Sequence, residues 1–438
     1  MTSPEPPVAL YVHLPFCVAR CPYCDFVVYA GGDARGPRAR PERLYEAIGR
    51  ELELRAGALD ERFGPPAAAG TNGAAGTNVA AGTPAVAGAN DRRAPLRSLY
   101  FGGGTPSLIP AEWLERLMDL VRARFGLAPD AEVTLEANPG TDDRGDLAAL
   151  QRAGVNRISF GAQSLDAGEL RRLGRRHSPQ DVATAVAAAR AAAIGSVNLD
   201  LLYDVPGQSL QTWERTLEAA LALAPDHLSL YALTLDDPDA EGITGLQGDH
   251  LPSLPGARLW RQRARLEQDE DRAADQYVLG VELLSGIGWR GYEISNWARP
   301  DHESRHNLAY WQRRPYEAVG PGAHAFDGTV RRWNAAHLAG YVDALLPEGG
   351  RPKLPPGGQE SISVSQAAVE SLILGLRLEE GVAASVVEDE RAPSTVAAAF
   401  EWAASAGMLE AVQLDGEPRL RLTTRGRLLS NELFTRLV

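Results

Sequence analysis

The stretch HLPFCVARCPYCDF, residues 13–26, holds all three cysteines of this 438-residue chain. Cys17, Cys21 and Cys24 follow the spacing C-x3-C-x2-C, which gathers three thiols into one short loop. A structural zinc site needs four ligands, and only His13 lies near enough in the sequence to be the fourth. A 4Fe-4S cluster held by three thiolates keeps one iron open for an exchangeable ligand. The number of cysteines therefore favours such a cluster over zinc and over three buried free thiols.

The composition is that of a globular protein, with 44% hydrophobic and 23% charged residues, and the length predicts two or three domains. The formal net charge of −13 argues against a nucleic-acid backbone as the main partner, because phosphate binding needs a basic face. The start, MTSPEPPVAL, lacks the regions of a secretory signal, and no apolar run of about 18 residues predicts a membrane helix. Three cysteines do not make a disulfide framework, so we expect a reducing, cytoplasmic location.

Between residues 8 and 234, β-type apolar runs alternate with helical patterns. Such alternation predicts a parallel sheet with helices outside it. Glycine or polar motifs follow the runs, and in β/α barrels this edge of the sheet carries the functional site. We therefore expect an α/β fold with a partial TIM-type (β/α)6 barrel over residues 8–245. The predicted strands are VALYVHL (8–14), LRSLYFGGGTP (96–106), EVTLEANPG (132–140), RISFGAQS (157–164), VNLDLLYDVPG (197–207) and HLSLYALT (227–234).

Other segments differ from the barrel in composition. Residues 1–7 are predicted to be a disordered tail, and the low-complexity stretch 64–92 a flexible insertion without chemistry, since it cannot bury a core. Residues 246–355 show weaker periodicity and form an expected α+β extension, with a long helix at 270–288. In residues 356–438, helices precede a hairpin signal at an Asp-Gly pair, which predicts a small winged-helix-like domain for packing or partner contact.

The cysteine loop resembles that of the radical S-adenosylmethionine enzymes, in which C-x3-C-x2-C follows the first strand of a partial β/α barrel. Within that superfamily, YVHLPFCVARCPYCDF is similar to the branch of oxygen-independent coproporphyrinogen oxidases and HemW heme chaperones. The resemblance runs from about residue 10 to the C-terminus, apart from the insertion. It implies that S-adenosylmethionine chelates the open iron of the cluster, from which an electron can cleave the cofactor to a 5′-deoxyadenosyl radical.

The resemblance also implies a set of cofactor contacts on the loops that follow the strands. The GGGTP stretch, residues 102–106, offers backbone that a ligand can approach, and without a following lysine it is no P-loop. Glu136 would be costly if buried alone, which favours a place in a pocket. The residues that the family pattern assigns to S-adenosylmethionine are Tyr11, Tyr23, Gly104, Thr105, Glu136, Gln163, Arg175 and Asp200.

A second motif, HNLAYW at residues 306–311, matches the HNxxYW signature of the HemW branch, which is associated with heme binding. The resemblance implies that His306 ligates heme iron through an imidazole nitrogen, with Asn307 and Tyr310 beside it and Trp311 covering a porphyrin face. The alternative is an aromatic cluster that lines the open side of the barrel, in which His306 is only hydrogen-bonded. Weaker ligand candidates are His177, His302 and His324.

Phe26 separates two functions within this branch. The oxidase signature carries a fourth cysteine two residues after the third, where this chain and the chaperones have phenylalanine. We therefore expect a heme chaperone that passes heme to an acceptor hemoprotein, without coproporphyrinogen dehydrogenase activity. The alternatives are an oxygen-independent coproporphyrinogen III oxidase and a zinc-stabilised barrel with an interaction role. A membrane-bound acceptor, peripheral membrane association and a homodimer are further options.

Overall fold

The computed structural model describes residues 4–31, 40–67, 92–235, 242–388 and 395–438. Residues 1–3 of the predicted tail and nearly all of the predicted insertion lie outside this described part. Across the residues that the structure describes, no helix is long and apolar enough to cross a membrane.

The strands follow the predicted order along the chain. They are β1 (Ala9–Leu14), β2 (Phe16–Cys17), β3 (Tyr29–Ala30), β4 (Leu96–Gly103), β5 (Leu127–Ala137), β6 (Arg157–Gln163), β7 (Ser196–Tyr203), β8 (His227–Ala232), β9 (Arg290–Gly291), β10 (Asn296–Ala298), β11 (Tyr316–Val319), β12 (His324–Phe326), β13 (Val330–Asn334), β14 (Gly357–Ser361), β15 (Val382–Ala383), β16 (Leu409–Leu414) and β17 (Glu417–Leu422).

The helices of the described residues lie between and after these strands. They are α1 (Pro41–Phe63), α2 (Ala111–Arg124), α3 (Leu147–Ala153), α4 (Ala167–Arg172), α5 (Pro179–Ala191), α6 (Leu210–Ala222), α7 (Pro255–Arg265), α8 (Glu270–Gly286), α9 (Arg305–Trp311), α10 (Leu338–Leu345), α11 (Val364–Arg377), α12 (Thr395–Ser405), α13 (Thr424–Leu428) and α14 (Ser430–Leu437).

One mixed sheet of 12 strands organises the molecule, in the order β14-β13-β12-β11-β1-β4-β5-β6-β7-β8-β10-β9. Its centre is the parallel run β1-β4-β5-β6-β7-β8, and these are the six strands that the alternation predicts. The strand β11 adds a parallel neighbour to β1, whereas β10 pairs antiparallel with β8. Strands of the extension therefore continue both edges of the barrel sheet.

The two faces of the sheet differ in polarity because side chains alternate along each strand. On β1, Leu10 and Val12 enter the core beneath the helices, whereas Tyr11 and His13 point to the opposite side. The helices bury matching apolar stripes: Leu44 on α1 is fully buried, and each such side chain contributes about 1.5–3 kcal/mol by leaving water. The helix side thus stabilises the fold, and the polar side is left for a site.

The last part of the chain has its own apolar cluster, built from α11, α12, α14 and a three-stranded sheet in the order β15-β17-β16. The strands β16 and β17 form the predicted hairpin around Asp415 and Gly416. Both residues have positive φ, 52° and 82°, as a two-residue turn of type I′ requires. The Asp-Gly signal in the sequence therefore marks the turn correctly.

Candidate functional site

The cysteine loop leaves the end of β1 and is fastened to the end of β4. The backbone N–H of Gly104 donates to the Leu14 carbonyl at 2.9 Å, and that of Thr105 donates to the Phe16 carbonyl at 2.8 Å. A Cβ atom on Gly104 would lie 2.6 Å from the Phe16 oxygen, so only glycine permits this approach. The GGGTP stretch thus holds the cysteine loop in place through backbone hydrogen bonds.

A cavity of about 380 Å³, here called the cysteine cavity, opens beside this loop at the ends of the parallel strands. The three cysteines line it together with most residues that the resemblance assigned to S-adenosylmethionine. Thr105 lies behind the wall, where its hydroxyl donates to Cys17 Sγ at 3.4 Å. The predicted residues that line the cysteine cavity are Cys17, Cys21, Cys24, Tyr23, Gly104, Glu136, Gln163, Arg175 and Asp200.

Burial disfavours negative charge on the sulfurs of the cavity, and a neighbouring cation partly offsets this cost. The Arg175 guanidinium donates to Cys21 Sγ at 3.2 Å and to the Gly161 carbonyl at 2.9 Å. Burial raises the pKa of the Cys17 thiol, and it raises the pKa of Cys24 to about 12. Thiolates in such a site need cationic partners, which Arg175 and metal ions supply.

The donor set fits a 4Fe-4S cluster. Three thiols from one loop face a cavity with room for a further ligand, and cysteine thiolates are the usual ligands of such clusters. Among the described residues, no group of three His, Cys, Asp or Glu side chains is arranged to hold a single metal ion. The fit therefore rests on the chemistry of the thiols and on the cavity that they share.

Two carboxylates lie across the cavity from the loop. Glu136 accepts the Tyr100 hydroxyl at 2.8 Å and the Gly103 N–H at 2.9 Å, and burial raises its pKa to about 7. Asp200 accepts the Ser159 hydroxyl at 2.9 Å, and burial also raises the pKa of this carboxyl. These oxygens can receive ammonium or hydroxyl groups of a ligand, because they face the space opposite the thiols.

Gln163 occupies the end of β6 in a left-handed conformation with φ of 65°. The pairing of β6 with β7 shifts register between Phe160 and Gln163. Such backbone is costly for a residue with a side chain, and it clusters at functional sites. The bulge aims Gln163 into the cysteine cavity, to which the resemblance assigned it, although the sequence did not predict the bulge itself.

Sequence reasoning missed Asn138, which links several of these groups. Its amide nitrogen donates to Thr105 Oγ1 at 3.1 Å, and its amide oxygen accepts Arg175 Nη2. Asn138 therefore fixes the two side chains that contact Cys17 and Cys21. Its position directly after β5, in the motif LEANP, is the sequence signal that could have identified it as a site residue.

A second cavity of about 510 Å³, here called the open cavity, lies beside the first. Asp25 and Phe26 line both cavities, and Phe26 is 61% exposed. Tyr11 lines the open cavity and not the cysteine cavity, in contrast to the expected cofactor contact. Its hydroxyl is hydrogen-bonded to His13 Nδ1 at 3.0 Å, which holds the ring on that side.

The HNLAYW motif forms α9, whose first backbone N–H groups donate to the buried Glu132. His306 is 1% exposed, and both of its ring nitrogens are hydrogen-bonded. Nδ1 meets Ser98 Oγ at 3.0 Å, and Nε2 meets the Tyr310 hydroxyl at 2.8 Å. Burial lowers the pKa of His306 to about 3, so the ring is neutral.

The motif thus adopts the hydrogen-bonded arrangement of the alternative, and heme ligation by His306 stays a prediction. His306 has no unbonded ring nitrogen for iron in this conformation, and Tyr310 lines the open cavity, whereas His306, Asn307 and Trp311 line neither of the two cavities described above. Asn307 is half-buried and donates its backbone N–H to the capping hydroxyl of Ser304. Trp311 lies away from both cavities, and the guanidinium carbon of Arg377 on α11 lies 4.5 Å from its ring centroid.

His306 instead supports the floor of the cysteine cavity. Its ring lies 5.0 Å from the ring of Tyr100, centroid to centroid, and Tyr100 donates to Glu136. Of the weaker candidates, His177 meets the Ala162 carbonyl at 3.0 Å and lines neither cavity. His302 meets Ser196 Oγ at 3.0 Å and also lies outside both, whereas His324 lines the open cavity.

Comparison with known proteins supports this architecture. The chain matches the radical SAM superfamily over residues 85–220. Its fold is similar to that of coproporphyrinogen III oxidase (HemN) from Escherichia coli, with a TM-score of 0.71 at 21% identity, over 99% of this chain and 91% of that one. This likeness shows the fold alone, and it confirms the predicted partial barrel with extensions.

Relatives of known name cover nearly the whole chain. "Heme chaperone HemW" of Mycobacterium tuberculosis (strain CDC 1551 / Oshkosh) is 35% identical over 99% of this chain and 96% of its own length. The protein of the same name from Escherichia coli (strain K12) is 35% identical over 79% of this chain and 78% of its own length. The mouse protein "Radical S-adenosyl methionine domain-containing protein 1, mitochondrial" is 36% identical over 85% of this chain and 74% of its own length. The chain therefore belongs to the HemW family of the radical S-adenosylmethionine superfamily.

Proposed function

We propose that this chain is a heme chaperone, which binds heme and transfers it to an acceptor hemoprotein. The proposal extends to this chain what its HemW relatives are named for. One observation carries it: the cysteine cavity and the open cavity adjoin at Asp25 and Phe26, which line both. Two ligands, S-adenosylmethionine and heme, therefore have separate places on either side of one loop.

In this proposal, Cys17, Cys21 and Cys24 hold a 4Fe-4S cluster, which when bound supplies an open iron for S-adenosylmethionine. Thr105 and Arg175 donate hydrogen bonds to the sulfurs of Cys17 and Cys21. Hydrogen bonds of this kind stabilise thiolate charge and adjust the potential of a cluster. The protein thus shapes the electronic properties of the cluster through the segments that follow β4 and α4.

S-adenosylmethionine binds in the cysteine cavity in this proposal. The carboxylates of Glu136 and Asp200 accept hydrogen bonds from its ammonium and hydroxyl groups, and the backbone at Gly104 receives its methionyl end. Gln163 and Tyr23 complete the walls. Burial excludes water from these contacts, which strengthens each of them.

The oxidase alternative is disfavoured by Phe26. This position carries a fourth cysteine in the oxidase signature, and here it is an exposed aromatic ring between the cavities. The resemblance to the oxidase structure extends to the fold, at 21% identity. We therefore propose that the chain does not convert coproporphyrinogen III to protoporphyrinogen IX.

The test uses anaerobically reconstituted full-length protein. Iron and sulfide are quantified, heme is titrated while the Soret band is followed, and transfer to apomyoglobin, a model hemoprotein, is measured. We expect near-stoichiometric cluster iron, a saturable Soret band, transfer of heme, and no protoporphyrinogen from coproporphyrinogen III. Product formation without stable heme binding would overturn the proposal in favour of the oxidase. Zinc in place of iron would overturn the cluster.

A further inference from the structure

The open cavity contains a histidine and carboxylate pair that no motif assigns. His324 Nε2 lies 2.9 Å from Asp249 Oδ2, and the His324 side chain is 40% exposed toward the cavity. Histidines that bind metals commonly give their second ring nitrogen to a carboxylate, which fixes the ring and raises its basicity. Among the described residues, no hydrogen bond engages the other nitrogen, Nδ1.

The chain holds this pair in place from both sides. The turn before His324 is anchored by the buried Glu51, which accepts the Gly320 N–H at 3.0 Å. A Cβ atom on Gly322 would lie 2.7 Å from a Val27 methyl, so glycine lets the turn pack against the cysteine loop. Asp249 in turn accepts the Ile243 N–H at 2.9 Å, which fixes the carboxylate.

The walls around the pair are aromatic. Tyr11, Phe26, Tyr310 and Tyr316 line the same cavity, and the exposed ring of Phe26 stands at its border with the cysteine cavity. Flat aromatic side chains with a few fixed polar groups are typical of sites for planar apolar ligands. At about 510 Å³ and open to solvent, the cavity admits a large ligand from outside.

Of the histidines in or beside the open cavity, His13 and His250 are buried in its wall, and His306 and His324 differ in what they offer to a metal. His306 is buried with both nitrogens engaged, whereas His324 is partly exposed, backed by a carboxylate, and makes no hydrogen bond through Nδ1 to the residues that the structure describes. Ligation by His306 would first require the Tyr310 hydroxyl to leave Nε2. The geometry therefore favours His324 without any rearrangement.

We propose that the open cavity is the heme site and that His324 is an axial ligand of the heme iron, with Asp249 as its orienting partner. This inference rests on the proposed function, since it identifies where a heme chaperone holds its cargo. In it, Tyr310 contributes to the wall, and His306 supports the neighbouring cysteine cavity through Tyr100.

The test is a heme titration of the full-length reconstituted protein and of His324→Ala and His324→Gln. We expect the Soret maximum to shift and the affinity for heme to fall at least tenfold in both variants. Added imidazole should restore the Soret position in His324→Ala, because it fills the vacated space beside Asp249. Rescue of this kind reports ligation, and a merely structural role would not produce it.

His302→Ala is the matched control, because His302 is also half-buried and lies outside both cavities. It should keep the wild-type spectrum and affinity. The inference is overturned if both His324 variants keep the wild-type Soret position and affinity, or if imidazole has no effect on a shifted band. Failure of the wild type to bind heme would instead overturn the proposed function. If the Soret band is lost in His306→Phe and in no His324 variant, the proposed function stands, but His306 of the HNLAYW motif is the axial ligand and this inference is overturned.

Discussion

The two cavities differ in how the chain assembles their walls. The cysteine cavity is built at the ends of neighbouring parallel strands, whereas the open cavity joins segments that are far apart in the sequence. The wall residues of the first follow the strand order, with Gly103 on β4, Glu136 on β5, Gln163 on β6, Asp200 on β7 and Tyr231 on β8. Those of the second come from β1, the cysteine loop, the 242–250 loop, α9, β11 and β12.

The barrel alone therefore forms the walls of the cysteine cavity opposite its loop. The open cavity forms only where the extension continues the same sheet. The barrel supplies a cofactor site by its topology. The extension adds a second site at its border, and the residues shared between the two are Asp25 and Phe26. The two sites should therefore be separable by mutation.

The largest effect is expected when Cys17, Cys21 and Cys24 are all replaced by serine. Serine hydroxyls do not replace thiolates on iron, so the protein should lose all cluster iron and sulfide. Heme affinity should change far less than the cluster content, because none of the three cysteines lines the open cavity. Iron analysis and a heme titration of the same sample check both statements. If cluster and heme disappear together while the thermal unfolding curve is unchanged, the cavities are not separate.

The next largest effect is expected on the affinity for S-adenosylmethionine, when Glu136 is replaced by glutamine (Glu136→Gln). The variant keeps the shape of the side chain but removes its charge, and its amide nitrogen cannot accept a hydrogen bond from the Gly103 N–H or from a ligand. Hydrogen bonds to charged groups contribute about 1.5–3 kcal/mol, so the affinity for S-adenosylmethionine should fall about tenfold or more. Equilibrium binding to cluster-loaded protein measures this change, and the heme titration should be unaffected. An unchanged affinity would remove Glu136 from the cofactor site.

The same residue predicts a pH dependence of stability in protein without cluster. The pKa of Glu136 rises from 4.5 to about 7 in the folded protein. The folded protein thus keeps a proton that the unfolded chain has lost, and its stability falls as the pH rises between these values. Glu136→Gln should lack this part of the decrease. Urea unfolding of wild type and variant at pH 5 and pH 8 checks the sign.

The cysteine cavity was largely predictable because each of its parts follows a strand and carries a short motif. The cysteine spacing is a local pattern, whereas Glu136 came from the family resemblance together with the rule that strand ends meet at one edge. Tyr11 lies on the wall of the open cavity, where its hydroxyl bonds His13, and no local pattern shows this. The burial of His306 depends on Ser98, which lies 208 positions away in the sequence. Contacts of that separation leave no periodic signal.

A smaller effect is expected for His306→Phe, which tests whether the motif histidine supports the barrel floor. The change leaves the hydroxyls of Ser98 and Tyr310 without their partner, so the free energy of unfolding should fall by about 1–3 kcal/mol. The affinity for S-adenosylmethionine should fall a few-fold, because Tyr100 loses its packing against the polar ring. His306→Gln, which can donate and accept, should recover part of both. Unaltered stability with complete loss of the Soret band would show that His306 is the ligand.

The smallest effect is expected at the border between the cavities. Phe26→Ala removes an exposed ring, so the free energy of unfolding should change by no more than about 0.5 kcal/mol. Heme affinity should still fall a few-fold, since an aromatic contact contributes about 0.5–1.5 kcal/mol beyond its buried area. The affinity for S-adenosylmethionine should fall as well, because the ring lines both cavities.

Leu266→Ala is the matched control for this variant. Leu266 is 86% exposed, and it lines neither cavity, so its truncation should change neither ligand's affinity. Calorimetric titrations of the two variants with each ligand distinguish a shared border from a general surface effect. A loss confined to one ligand would assign Phe26 to a single cavity. Equal losses in both variants would mean that the exposed ring has no specific role, and the contact between the two sites would have to pass through Asp25 instead.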